Sequence, residues 1–199
     1  MAEMAFALQG ELLVVVHNEC APAQTRWEEF CRECHRAYVE LPGAESGAVL
    51  VASDGGGPDV VQRAQLLKAV ERIPVRTAVV SPSSGVRRIH AALQLFNERA
   101  QCFDVPQWRE AAQHLGITPR QYGDLARTLA ALCDVVPRAI TAQTLRNLFA
   151  DEHRRHARKL DSGIQGKGPS TGPIGTYPEG SGPTNCDHFW QGQGAIGNS

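Results

Sequence analysis

From its amino end the chain alternates short apolar runs with longer stretches of helical spacing. Phe6 to Leu8 and Glu11 to Val16, separated by Gln9-Gly10, predict a short hairpin or a bent strand with a glycine at the turn. After Pro22, the residues Trp27, Phe30, Cys31, Cys34 and Tyr38 recur at i, i+3, i+4, i+7 and i+11, on one face of an amphipathic helix. Ala48 to Ala52 is continuously apolar, as expected of a strand covered on both faces. Pro58 suits a first helical turn, and Val60, Ala64, Leu67 and Val70 then form the expected buried stripe until Pro74 stops the helix.

The unit repeats. Thr77 to Val80 predicts a strand, Ser83 or Ser84 caps a helix, and Val86, Ile89, Leu93 and Phe96 give it an apolar face. Ala100 to Phe103 is another short strand, and Pro106 opens a helix with Trp108, Ala111, Ala112 and Leu115 facing inward. Strands alternating with helices imply a mostly parallel sheet with crossover helices, so residues 5–117 read as one α/β domain. Thr118-Pro119 starts a further helix bearing Tyr122, Leu125, Ala126, Leu129, Leu132, Cys133 and Val136, which Pro137 ends. Thr141 is expected to cap another, with Leu145, Leu148 and Phe149 buried, and residues 118–160 read as a helical extension. From Asp161 the composition shifts to Gly, Pro, Ser and Thr, with ten of the nineteen glycines. A tail of that kind, 161–199, buries too little apolar surface to offset its chain entropy and is expected to be disordered.

Charge and length narrow the function classes. A chain of 199 residues with net charge −1 lacks the cationic excess of a general polyanion binder, so nucleic acid is not the expected partner. Glu3 stands where a secretory signal needs cations, and no run approaches the about 20 apolar residues of a membrane span. A cytoplasmic protein without membrane association is the expectation. Its six cysteines show no disulfide framework.

The order of elements resembles that of the STAS family, the fold of bacterial anti-sigma-factor antagonists. FALQGELLVV is similar to the family's opening hairpin, and VLVASDGGGPDVVQRAQLLKAV to its strand, loop and switch helix. RTAVVSPSSGVRRIHAALQLFNERAQCFDVPQWREAAQHLGI is similar to its closing strand, helix, short strand and last helix. The resemblance covers about residues 5–117. It implies a non-enzymatic regulatory or scaffold protein that docks a protein partner, an anti-sigma-type kinase or another regulator, through the 53–61 loop and helix start. The docking residues implied are Ser53, Asp54, Gly55, Gly56, Gly57 and Asp59. The family's loop typically reads Asp-Ser-Ser-Gly, its first serine accepting phosphate from a partner kinase. Here the corresponding position holds Asp54 or Gly55, according to the alignment, and Ser53 stands one residue early. The loop is therefore expected to carry a permanent carboxylate and to work without serine phosphorylation.

Other residues suggest other chemistry. Ser83, Ser84, Arg87 and Arg88 could gather free N–H groups and guanidiniums into a site for a nucleotide or another anion, which would make the protein a small-ligand sensor. The triple glycine matches neither the dinucleotide nor the Walker pattern. Cys31 and Cys34 of CRECH fit half a zinc site or a haem attachment pattern, but they share the apolar face of Trp27, Phe30 and Tyr38 and are expected in the core. HRRHARK at 153–159 could touch nucleic acid or an acidic partner but reads first as a solvated cationic helix end, and NCDHFW at 185–190 reads as a short docking motif or an inert stretch. No catalytic residues, metal or cofactor are assigned.

Overall fold

Each apolar run of the first half becomes a strand. The computed structural model describes residues 2–40, 47–69, 75–86 and 97–164. Strands β1 (Met4–Gln9) and β2 (Leu12–His17) form an antiparallel hairpin. Gly10 supplies its turn at φ +60°, a conformation that costs glycine little. Strands β3 (Ala48–Ser53), β4 (Arg76–Val80) and β5 (Ala100–Phe103) add in parallel to β2, and the sheet order is β1-β2-β3-β4-β5.

Helix α1 (Gln24–His35) continues into a π-helical turn, Arg36–Glu40, and α2 (Val60–Ala69) follows β3. Both lie on the sheet face formed by Leu13, Val15 and Val49, where Trp27, Phe30, Cys31, Cys34 and Tyr38 are buried as their spacing predicts. Two hydrogen bonds tie this layer together. Trp27 Nε1 donates to the carbonyl of Gln62 at 2.8 Å, and the Tyr38 hydroxyl donates to that of Ala48 at 2.8 Å.

The buried stripe expected on α2 is rotated. Val60 and Ala64 are exposed, whereas Gln62 is buried and Leu66 and Ala69 pack on the core. The cause lies at the helix start. Asp59 Oδ1 accepts the N–H of Gln62 at 2.8 Å and Gln62 Oε1 accepts that of Asp59 at 3.1 Å, a reciprocal cap that makes Asp59 the start residue and leaves Pro58 outside the helix. The Gln62 amide then donates to the Pro22 carbonyl at 2.9 Å, which turns that side inward. Val70 and the helical face expected at Ile89, Leu93 and Phe96 lie outside the described residues.

With β2 to β5 laid down in sequence order, the described crossover helices α1 and α2 share one face, as connections of the usual hand do, and neither covers the other face. The chain after β5 covers that second face. Helices α3 (Trp108–Leu115), α4 (Tyr122–Val135) and α5 (Ile140–Ile164) pack on Val14, Val16, Leu50, Ala52, Ala78 and Val80. Reciprocal caps at Asp104/Gln107 and Thr118/Gln121 start the turns that lead into α3 and α4. Trp108, Tyr122 and Phe149 meet with ring centroids 5.0 to 5.7 Å apart. Residues 118–160, expected as an extension, thus share a core with the sheet, and Met1–Ile164 is one compact unit. A chain ended after residue 117 is therefore expected to lose the cooperative urea transition of the full chain. An unchanged midpoint and slope in that truncation would mean that the second layer is dispensable.

Candidate functional site

Strand alternation puts His17, Ser53 and Ser81 on the α1/α2 face, at the carboxyl ends of adjacent strands, the edge where parallel sheets usually present their sites. Five of the six buried polar residues in the described structure follow or end these strands or α5's first turn: His17, Asn18, Ser53, Ser81 and Thr141. The Gly-rich loop crosses this edge.

Its conformation follows from its own residues. Ser53, only 2% exposed, donates its hydroxyl to the Gly56 carbonyl at 2.8 Å and accepts the Gly55 N–H at 3.2 Å. Gly55 sits at φ +128°, and a Cβ on Gly56 would collide with the carbonyls of Asn18 and Cys20. The Gly56 N–H donates to the Asn18 carbonyl at 2.9 Å. Glycine at 56 lets two backbone segments touch, and Gly57 and Pro58 carry the chain on to Asp59.

Asp54 turns to the opposite layer. Its carboxylate accepts the N–H of Ile140 at 2.6 Å and of Thr141 at 2.8 Å, and the Thr141 hydroxyl donates to it as well. Thr141 was expected to cap this helix itself; instead the start of α5 is capped by a carboxylate 86 residues earlier in the chain. The structure therefore engages Ser53, Asp54, Gly56 and Asp59 in intramolecular bonds or close contacts, and among the six docking positions Gly55 and Asp59 remain exposed. Both helix starts beside the loop hold the chain's own carboxylates, which removes the attraction an added anion would find there.

The second candidate cluster is partly described. The Ser81 hydroxyl accepts the Ser83 N–H at 3.2 Å, Ser83 Oγ accepts the Val86 N–H at 3.5 Å as a helix cap, and Ser84 is exposed. The Ser83 side chain faces Gly55, so this turn abuts the Gly-rich loop. Arg87 and Arg88 lie outside the described residues, as do Cys186 and the 185–190 stretch.

The cysteine pair of CRECH is buried in the core of the α1 layer. Burial, then the charge of Glu28, pushes the Cys31 thiol up to about 11; burial, with Cys31 and Glu33 nearby, raises Cys34 further. Both lie toward the carboxyl end of α1, whose dipole also disfavours a thiolate. Among the described residues no group of three or more His, Cys, Asp or Glu side chains is placed to hold a metal ion. The cationic end of α5 is solvated as expected, with Arg154 paired to Asp151 and Arg155 to Glu152. No helix among the described residues is long and apolar enough to cross a membrane.

Sequence reasoning passed over His17 and Asn18. Asn18 accepts the Cys20 N–H on Oδ1 at 2.9 Å and donates to the Pro137 carbonyl at 3.5 Å. His17 is 4% exposed, its Nδ1 has no hydrogen-bond partner among the described residues, and burial lowers its pKa to about 4. The only signal was a polar pair at the end of an apolar strand.

Two measurements follow. Asp54→Ala should cost about 1–2 kcal/mol in urea unfolding, with α5 amides losing protection first. A cost confined to the noise would mean that the cap contributes nothing. For His17, the unfolded imidazole takes a proton near 6.5 that the folded protein refuses until about pH 4. Its contribution to stability is thus complete above 6.5 and is lost as pH falls from 6.5 to 4, by about 3 kcal/mol in all. His17→Leu should flatten that part of the profile, and an unaltered slope would place the acid sensitivity elsewhere. Comparison with models of known families, with curated proteins and with solved structures finds no match for this chain.

Proposed function

We propose that this chain is a non-enzymatic, STAS-like regulatory or scaffold protein that docks a protein partner through the 53–61 loop and helix start. The observation that carries the reading is the exposure of Val60 and Val61, 72% and 64%, on the first turn of α2 immediately after the loop. Rotation of α2 about the Gln62 anchor turns these aliphatic side chains to solvent, where they add little to the stability of the isolated chain and leave apolar area for a covering surface to bury. The loop beside them is already fixed by Ser53, Asp54 and Gly56, so a partner meets an ordered rim and little chain entropy is lost on binding.

The same geometry supports docking without a serine switch. The Ser53 hydroxyl is buried and bonded on both sides, and a kinase would have to open the turn to reach it. Asp54 gives its charge to α5, so the apolar pair and the exposed Gly55 backbone supply the contact.

Affinity capture from extracts of the native host tests this. The unaltered chain should retain a partner that the double variant Val60→Asp, Val61→Asp retains at least about tenfold less, because a desolvated charge replaces each anchor. Both side chains are exposed, so the variant should melt as the parent does. Equal recovery by the two proteins defeats the reading, as does phosphate on Ser53 in the recovered parent.

A further inference from the structure

Among the described residues, Val135 and Ile140 are two further exposed large aliphatic side chains, at 50% and 67%. They bracket the connection between α4 and α5, on the sheet face opposite α2. This corner is held firmly from below. Val136 and Ala139 are fully buried, the Pro137 carbonyl accepts from Asn18, and the Ile140 N–H is bonded to Asp54. Between the aliphatics stands Arg138 at φ +61°, a left-handed conformation that opposes a Cβ and that glycine adopts freely. Asp134 precedes Val135. Both charged side chains are exposed, and among the described residues neither has an ion-pair or hydrogen-bond partner for its side chain.

We propose that this corner is a self-association surface through which two copies of the chain pair about a two-fold axis. A two-fold contact must be complementary to itself, which calls for both signs of charge beside an apolar centre. The order acid, aliphatic, cation, aliphatic at Asp134, Val135, Arg138 and Ile140 meets that condition. Arg138 of each copy faces Asp134 of the other, and the four aliphatic side chains close between the two ion pairs. The pinned backbone keeps Arg138 in place, and the second copy supplies the charges that the chain itself leaves unmatched. The corner offers far less than the about 800 Å² per partner of a tight complex, so the pairing is weak and depends on concentration. It does not rest on docking at Val60 and Val61, which belong to another helix on the other face.

Sedimentation equilibrium of the full chain, from about 10 µM to about 1 mM, should show the average mass rising from 21.6 kDa toward twice that value. Asp134→Arg and Arg138→Asp, each alone, should weaken association by at least about tenfold, because each brings like charges together at both contacts. An equimolar mixture of the two variants should associate again, since only the mixed pair has opposite charges at both places. Arg138→Gly separates fold from surface: it relieves the backbone and removes the charge, so the melting temperature should hold or rise while association falls. A parent that stays at 21.6 kDa throughout overturns the proposal. So does association that ignores the charge reversals, or a mixture no stronger than its components.

Discussion

The one-directional growth of the sheet governs everything else in this molecule. With β2, β3, β4 and β5 in sequence order, the described crossover helices α1 and α2 gather on one side. The other side would present Val14, Val16, Leu50, Ala52, Ala78 and Val80 to water, and burying each larger side chain contributes about 1.5–3 kcal/mol. A doubly wound sheet solves this by reversing direction; this chain solves it by continuing past its last strand and folding three helices back. Small residues on that face, Ala48, Ala52 and Ala78, leave room for the Trp108, Tyr122 and Phe149 cluster.

Two layers of different origin must then be held in register, and the carboxyl edge of the sheet does this. Asp54 joins the strand-loop unit to the start of α5, Asn18 joins β2 to the connection before it, and Gln62 binds α2 to the segment before α1. The edge where parallel sheets usually bind ligands is here largely engaged in holding the protein together. That gives the Gly-rich loop its character. It is a turn and a cap, and beside it the exposed Gly55 and Asp59 are followed by the exposed aliphatics Val60 and Val61.

Elements set by local pattern were legible in the sequence. The apolar run at 48–52 became β3, the stripe from Trp27 to Tyr38 became the buried face of α1, and Trp108, Ala111, Ala112 and Leu115 all point inward. The α2 stripe failed because hydrophobic spacing assumes that apolar residues choose the buried face, whereas a capping box and one buried amide fixed the rotation first. Thr141 looked like a helix cap for a sound local reason, and the actual cap came from a residue no window could include. The apolar faces of α4 and α5 could be read as well, but spacing says that a face is buried and not what buries it.

The late closure of the second face has a consequence for biosynthesis. All five strands exist once Phe103 has been made, yet the aromatic cluster that covers them waits for Phe149. At about 5–20 residues per second, the roughly 50 residues between them occupy the ribosome for several seconds. For that interval the nascent chain has its strand residues but no cover for one apolar side, so its core cannot close, and it offers a binding surface for chaperones and a hazard between neighbouring ribosomes on one message.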